Sequence, residues 1–165
     1  MAVITLATTL IVTAESAQAG YVSIYRRDSS LSNYANPHLN LGIAGTDPNS
    51  GWAGVWSSVS RWQIVDHPPN GHTIQEFGSE GRNRCLDSNH NGDLYGIQCN
   101  GGAYQRWHII YLADQRDSYY GTVHAAFQIV NVATGRCLDA NRTYGYTLGC
   151  NGGNNQRWFD ININD

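Results

Sequence analysis

Short runs of apolar and β-branched residues alternate with polar residues and turn formers along the second half of the chain, as at 73–77 and 127–132. Runs of five or six such residues, bounded by Asn and Gly, are typical of β-strands joined by tight turns. Each run precedes a Cys-Leu-Asp segment, an Asn/Gly turn, a segment containing tyrosine and a segment that begins at tryptophan. This order predicts an all-β chain.

The order of segments recurs because the sequence repeats itself. The segment RCLDSN at 84–89 returns as RCLDAN at 136–141. The segment CNGGAYQRW at 99–107 returns as CNGGNNQRW at 150–158. Self-similarity on this scale indicates that one supersecondary unit has been duplicated.

A third, degenerate copy lies upstream, where SRWQI at 60–64 aligns with QRWHI at 105–109 but both cysteines and the Leu-Asp block are missing. We therefore divide the chain into copies one, two and three, at about 20–70, 71–119 and 120–165. One such unit cannot bury its apolar side alone. Three units around a pseudo-threefold axis would share one core, with the tryptophans and leucines as equivalent layers.

The four cysteines occupy equivalent positions in copies two and three. Pairing Cys85 with Cys99 and Cys137 with Cys150 closes loops of about 14 residues, which would stabilise the fold by roughly 3 kcal/mol each. A bridge between copies would break the pseudo-symmetry. We therefore predict two disulfides, each within one repeat.

Residues 1–19 differ from the rest of the chain. An uncharged, mostly apolar run is followed by Glu15 and Ser16 and then by Ala17-Gln18-Ala19, a small-x-small cleavage signal. These features are typical of a secretory signal peptide. We predict that the mature chain begins at Gly20 and that the protein is secreted, into conditions where disulfides persist.

Charged residues make up 14% of the chain, and ten basic residues, all arginine, stand against thirteen acids for a formal charge of −3. A chain without a basic face is poorly suited to neutralising phosphates, so we expect neither nucleic acid nor charged lipid headgroups as partners. The apolar run near the start is too short to span a bilayer, and no membrane insertion is expected.

The Cys-Leu-Asp, Cys-Asn-Gly-Gly and Gln-Arg-Trp blocks resemble those of the ricin B-type lectins, in which a Q-x-W signature closes each repeat. The resemblance covers the chain from about residue 20 onward and is strongest after Arg82. It implies a β-trefoil of three pseudo-symmetric repeats, the first degenerate, and a carbohydrate-binding function. Copy two is most similar to the actinohivin-like lectins, which bind high-mannose glycans.

In copy two the resemblance implies a sugar site made of Asp87, Tyr95, Asn100 and Tyr104. A sugar offers paired hydroxyls and an apolar C–H face, so the carboxylate and the amide would hold hydroxyls while the two rings contact the sugar. Copy two is the predicted principal site.

Copy three offers Asp139, Tyr146, Asn151 and Asn155 at the corresponding positions. Because Asn155 stands where copy two has tyrosine, the mannose preference of copy three is in question. Asn before Q-x-W resembles the ricin-type modules that bind galactose or xylose, so copy three is expected to differ in ligand.

Several of these residues also have structural interpretations. Asp87 and Asp139 fit residues that cap the following Asn/Gly loop, and Asn100 and Asn151 fit turns. The Leu, Trp and Gln residues of the repeated blocks are predicted to be core residues or buried partners of the backbone, and not ligand contacts: Leu86, Leu138, Gln105, Gln156, Trp107 and Trp158.

A metal site and an enzyme are the remaining alternatives. The loop from Asp87 to Asp93 resembles the opening of an EF-hand, but its twelfth position is Gln98, and Thr143 breaks the pattern in copy three. Glycoside hydrolysis needs two carboxylates at one bond, whereas Asp87 and Asp139 are repeat equivalents. We predict no metal, no cofactor and no enzymatic activity.

Copy one concentrates aromatic residues, among them Tyr34, Trp52 and Trp56. These residues fit core packing, and they also fit a surface for a protein partner, since aromatic side chains are enriched at interface centres. The sequence thus predicts a secreted lectin for mannose- or galactose-type glycans. The alternatives are a glycan-targeting or interaction subunit of a secreted toxin or enzyme complex, and a scaffold without a ligand.

Overall fold

The computed structural model describes residues 29–44, 51, 53–56, 61–77, 84–117 and 120–162, so the predicted signal peptide at 1–19 lies outside the described residues. These ranges contain twelve strands and two short 3-10 helices, Ala103–Gln105 and Asn154–Gln156. The strands are β1 (Ser29–Asn33), β2 (Asn36–Ile43), β3 (Ala53–Trp56), β4 (Arg61–Asp66), β5 (His72–Phe77), β6 (Arg84–Ser88), β7 (Leu94–Gln98), β8 (Trp107–Arg116), β9 (Val123–Asn131), β10 (Cys137–Ala140), β11 (Gly145–Leu148) and β12 (Trp158–Asn162). Neither helix is long or apolar enough to cross a membrane, and no other helix lies in the described ranges.

Six of the strands close a barrel by antiparallel pairing. Strand β1 pairs with β12 and β4, β4 also pairs with β5, β5 with β8, β8 with β9, and β9 with β12. The other six form the hairpins β2–β3, β6–β7 and β10–β11, which attach to β1, β5 and β9. Each copy supplies four consecutive strands, and the all-β organisation in three repeats is confirmed.

One tryptophan from each copy forms the centre of the core. All three are fully buried, and each indole Nε1 donates a 3.0 Å hydrogen bond to the backbone carbonyl of a leucine in the same copy. The pairs are Trp62 with Leu41, Trp107 with Leu86, and Trp158 with Leu138. The same bond in all three copies means that copy one keeps this frame although it lacks the cysteines.

The three hairpins pack against one another. The Gly96 amide of copy two donates to the Gly51 carbonyl of copy one at 2.7 Å, and the Thr147 amide of copy three donates to the Gly92 carbonyl of copy two at 2.8 Å. A Cβ atom on Gly96 would overlap Ile43, so this approach requires glycine. The hairpins therefore stabilise each other across the boundaries between copies.

Both predicted disulfides are confirmed. Cys85 pairs with Cys99 and Cys137 pairs with Cys150, with Cα–Cα distances of 4.9 and 5.0 Å. Copy one has Asn40 at the position of the first cysteine, opposite Trp56 in the hairpin, and the Asn40 side chain accepts a buried 2.7 Å hydrogen bond from Ser32 Oγ.

The strand predicted at 73–77 is observed as β5. The strand predicted at 127–132 begins earlier, at Val123, because the first half of β9 pairs with the end of β8 in a long hairpin that joins copies two and three. This extension depends on a partner strand, so the local pattern around 123–126 does not predict it.

Candidate functional site

Hairpin register places the aspartate and the tyrosine of the predicted sites opposite each other. Asp87 faces Tyr95 across β6–β7, and Asp139 faces Tyr146 across β10–β11. Directly opposite residues in an antiparallel pair point to the same face of the sheet. The corresponding pair in copy one is Gly42 with Gly54, so the same backbone there carries neither group.

The two aspartates are buried at the base of their sites. Each is 3% exposed, and in each the Oδ1 atom has no hydrogen-bond partner. In copy three the other oxygen, Oδ2, accepts a 3.0 Å bond from Gln156 Nε2. A buried acceptor without a donor costs about 1–3 kcal/mol, so each carboxylate has an unfilled place for a hydroxyl.

A donor reaches these oxygens only if a neighbouring side chain moves. The half-buried tyrosine across the hairpin is that neighbour, since Tyr95 is hydrogen-bonded to Asp87 and Tyr146 to Asp139. Replacing the tyrosine hydroxyl by a ligand hydroxyl would exchange one hydrogen bond for another. The geometry therefore couples ligand entry to the tyrosine.

The protonation states of these pairs suit hydrogen bonding. Burial raises the pKa of Asp87, opposed by hydrogen bonds from Gln105 and Tyr95. Burial and then the charge and hydrogen bond of Asp87 raise the pKa of Tyr95 to about 12. Burial and then the charge and hydrogen bond of Asp139 raise the pKa of Tyr146. Both phenols thus stay protonated at neutral pH and donate to their carboxylates.

The glutamine of each Q-x-W block links the aspartate to the Asn-Gly-Gly turn. Gln105 and Gln156 are fully buried, as predicted. Their Oε1 atoms accept 2.8 Å bonds from the backbone amides of Asn100 and Asn151, and Gln156 also bonds Asp139. Sequence reasoning treated these glutamines as core residues and missed that they fix the spacing between the two ligand-directed groups.

The two asparagines have a structural role and an exposed end. The Oδ1 atoms of Asn100 and Asn151 accept bonds of 2.8 and 2.7 Å from the amides of Gly102 and Gly153, which closes an Asx turn. Both residues are exposed, and a side-chain NH2 group remains to donate to a ligand. The turn interpretation therefore holds for the oxygen without removing the residue from the site.

Tyr104 and Asn155 lie at the same position of the two 3-10 helices, and both are exposed. The charge of Tyr104 contributes to the raised pKa of Tyr95, so the two tyrosines of copy two lie close together. The edge of Tyr104 contacts His90, with ring centroids 5.4 Å apart and planes at 88°. His90 was missed because a lone histidine in a polar loop carries no signal.

The loop between β6 and β7 is organised by its own asparagine. Asn89 Oδ1 accepts the amides of Asn91 and Asp93 at 3.0 and 3.1 Å, and Asn89 Nδ2 donates to Asp93 Oδ2 at 2.8 Å. These bonds account for the polar pattern that resembles an EF-hand opening. Within the described residues, no three His, Cys, Asp or Glu side chains are grouped as a metal site requires.

The predicted partner surface of copy one is only partly described. Trp52 lies outside the described residues, and of Trp56 only the backbone is described, in β3. Tyr34 is half-buried, contacts the edge of Phe159 at 5.3 Å and donates to the Arg116 carbonyl at 3.5 Å. This arrangement fits core packing for Tyr34, and the surface stays a prediction.

Another apolar surface lies on the β8–β9 hairpin. Ile110, Tyr111 and Leu112 are 38%, 45% and 40% exposed. The pairing register shifts between Tyr111 and Ala113, and this irregularity places Leu112 outside the alternation of the strand. Sequence analysis did not identify this surface, since a run of three apolar residues is more typical of a buried strand.

No protein-family model and no curated protein sequence matches the chain. Among solved structures the chain is similar to ThreeFoil, a designed threefold-symmetric protein, with a TM-score of 0.67 and 17% identity over 84% of this chain and 100% of that one. It is similar to the hemolytic lectin CEL-III (TM-score 0.64, 22% identity) over 82% of this chain, but it spans only 33% of that one. It is also similar to the cytolethal distending toxin of Haemophilus ducreyi (TM-score 0.60, 16% identity, 84% of both chains). Identities this low show the fold alone, and together with the closed barrel and its three hairpins they identify the fold as a β-trefoil.

Proposed function

We propose that this protein is a lectin that binds glycans through copies two and three without a metal ion. The observation that carries the proposal is the pair of buried aspartates, each with one oxygen that lacks a donor, at equivalent positions of two hairpins. Duplication of an unsatisfied acceptor is costly for a scaffold. It is useful in a protein that takes the same kind of group twice.

The groups around each aspartate match what a sugar offers. The carboxylate accepts a hydroxyl, the NH2 group of Asn100 or Asn151 donates to a second oxygen, and the tyrosine lies between ring and hydroxyl contacts. Backbone and glutamine bonds hold these groups in place before a ligand arrives, which lowers the entropy cost of binding.

Copy two is the better candidate for a mannose-type glycan. Tyr104 is 38% exposed beside Tyr95, so a sugar ring would contact an aromatic edge or face there. This arrangement supports the similarity of copy two to the actinohivin-like lectins. Asn155 gives copy three an amide at this position, which supports a different preference, of the galactose or xylose type.

Binding without catalysis is the simplest account of the carboxylates. Asp87 and Asp139 lie on different hairpins and do not form a pair. Asp93 lies near Tyr95, but Asn89 holds its carboxylate in the loop, and copy three has Tyr144 in the corresponding place. A hydrolase would need both carboxylates at one bond in the same copy.

A role as a subunit of a secreted assembly is the second candidate function. The exposed apolar residues on the β8–β9 hairpin favour it, because apolar surface of this kind is often a protein interface. The two disulfides support an extracellular location for either role. Co-purification from the native secretion medium, with Leu112→Ser as the disrupting variant, tests this role separately from glycan binding.

A glycan array tests the lectin function. The wild type is compared with Asp87→Asn, Asp139→Asn and the double variant, and Asp114→Asn serves as control because that exposed aspartate only accepts the Tyr111 hydroxyl. We expect each single variant to lose a subset of glycans, the double variant to lose all of them, and EDTA to have no effect. A silent wild-type array, or an unchanged double variant, would refute the proposal.

A further inference from the structure

The outer face of β11 is apolar and exposed. Tyr144 immediately precedes β11 and is 54% exposed, and Leu148 ends it and is 44% exposed. Successive residues of a strand point to opposite faces, so Tyr144, Tyr146 and Leu148 share one face. Gly145 and Thr147, between them, are buried. We refer to Tyr144, Tyr146 and Leu148 as the β11 strip.

The β11 strip borders the site of copy three. Its middle residue, Tyr146, lies opposite Asp139 and is hydrogen-bonded to that carboxylate. Gln156 joins Asp139 to the Asn151 turn through bonds of 3.0 and 2.8 Å. The strip therefore extends on both sides of a tyrosine that belongs to the site.

Copy two has a different side chain at the start of this strip. In copy two Asn89 Oδ1 accepts the amide of Asp93, and in copy three Asn141 Oδ1 accepts the amide of Tyr144, so Asp93 and Tyr144 are structural equivalents. Asp93 contributes to the raised pKa of Tyr95, which places this position close to the tyrosine hydroxyl of the site. Where copy three presents an aromatic ring, copy two presents a carboxylate.

The ring that borders each site thus enters from a different element. In copy two it is Tyr104, from the 3-10 helix, and in copy three it is Tyr144, from the start of β11. The 3-10 helix of copy three carries Asn155 instead. A small amide beside Asn151 and an apolar strip along β11 make the site of copy three open in the direction of the strand.

The shape of the strip selects its ligand. From Tyr144 to Leu148 the strand rises about 13 Å, which is longer than one pyranose ring. Stacking requires a sugar face covered by C–H groups, and an axial hydroxyl, as on mannose or galactose, interrupts that face. Pyranoses with only equatorial substituents have two such faces, and a β-1,4 linkage keeps successive rings in an extended ribbon.

We propose that the site of copy three binds a β-1,4-linked oligosaccharide of all-equatorial sugars, of the xylan or cellulose class, along the β11 strip. Tyr144 stacks on one ring, Leu148 contacts the next, and Asp139 and Asn151 hold the hydroxyls of the unit between them. The proposal rests on the function proposed above, that copy three is a sugar site.

Calorimetry with xylohexaose and cellohexaose tests the proposal in an Asp87→Asn background, in which copy two is silent. We expect one of the two hexaoses to bind more tightly than xylose, glucose or mannotriose. We expect Tyr144→Ala to weaken that binding about fivefold to tenfold, the amount that loss of one aromatic stacking contact implies. Tyr144→Phe restores most of it, because stacking requires the ring and not the hydroxyl.

Two controls keep folding and function apart. Tyr120→Ala removes an exposed ring, 64% exposed, from the loop after β8 and leaves binding unchanged. Asp93→Tyr, in an Asp139→Asn background, gives copy two the ring of copy three and is expected to raise its affinity for the hexaoses. Urea unfolding midpoints equal to the parent establish that each variant is folded.

The outcomes separate this proposal from the lectin function. If a glycan binds in a manner that depends on Asp139 but Tyr144→Ala changes its affinity less than twofold, or if mannotriose binds more tightly than either hexaose, the β11 strip is not the determinant and this proposal is wrong. If no glycan binds to any variant or to the wild type, the lectin function fails as well.

Discussion

Copies two and three have the same buried frame and different rims. In both, a tryptophan bonds a leucine carbonyl at 3.0 Å, a disulfide closes the hairpin, and a buried glutamine links to an Asn-Gly-Gly turn. At the rim Tyr104 stands against Asn155, and Asp93 stands against Tyr144. Buried positions are restricted by volume and by hydrogen-bond partners, whereas exposed positions change at little cost to stability, so ligand preference can diverge while the fold is kept.

Copy one extends this comparison. It keeps the bond from Trp62 to the Leu41 carbonyl but has Gly42 and Gly54 where the others have aspartate and tyrosine. The frame therefore does not require the site. The site, in contrast, requires the frame, because the aspartate, the tyrosine and the glutamine are held by strands that the tryptophans and leucines position.

The largest expected effect tests the equivalence of the frame. Trp107→Ala and Trp158→Ala each remove a fully buried side chain and leave a leucine carbonyl without its donor, so each should lower the free energy of unfolding by about 3–5 kcal/mol. Urea unfolding measures both, and Trp107→Phe and Trp158→Phe serve as milder substitutes if the alanine variants do not fold. A difference between the two copies larger than the loss itself would show that the repeats do not share the core equally.

Removal of the disulfides tests whether copy one is a guide to the others. Replacing both cysteines of either pair by alanine should lower the free energy of unfolding by about 3 kcal/mol, since each closes a loop of similar length. Unfolding with and without a reductant provides the matched control, because the reductant should have no effect once both pairs are removed. A double variant as stable as the wild type would mean that the hairpins need the disulfides as little as copy one does.

Exchange of the rim residues tests the difference between copies two and three. Tyr104→Asn should weaken mannoside binding at copy two by about 1 kcal/mol, the scale of one aromatic contact, and Asn155→Tyr should raise it at copy three. Calorimetry with a monovalent mannoside should find one strong site in the wild type and two in Asn155→Tyr. Two equal sites in the wild type would show that this position does not control recognition.

The smallest effect concerns pH and copy two. Burial raises the pKa of Asp87 above the ordinary value of 3.8, so the folded protein binds a proton at a higher pH than the unfolded chain does. The free energy of unfolding should therefore rise slightly as the pH falls from 7 toward that pKa, while glycan binding at copy two declines because the carboxylate becomes protonated. Asp87→Asn should abolish both trends. Stability that falls over this range in the wild type, relative to Asp87→Asn, would contradict the sign.

The sequence determined the repeats, and through them much of the fold. The repeated blocks gave the three units, the all-β class and both disulfide pairs, because duplicated local segments carry their own strand, turn and loop-closure signals. It also predicted Gln105 and Gln156 as buried residues. The sugar-site residues Asp87, Tyr95, Asn100 and Tyr104 come from the family resemblance, and their role in binding stays a prediction.

Only the tertiary structure decided which groups meet. Hairpin register placed Asp139 opposite Tyr146 and left one carboxylate oxygen without a donor, and Gln156 joined that aspartate to the Asn151 turn. The exposure of Tyr144 and the contact of His90 with Tyr104 likewise depend on how loops fold over neighbouring strands. Sequence periodicity reports which side of a strand a residue occupies, but contacts between residues distant in sequence depend on register and chain closure, which no local pattern specifies.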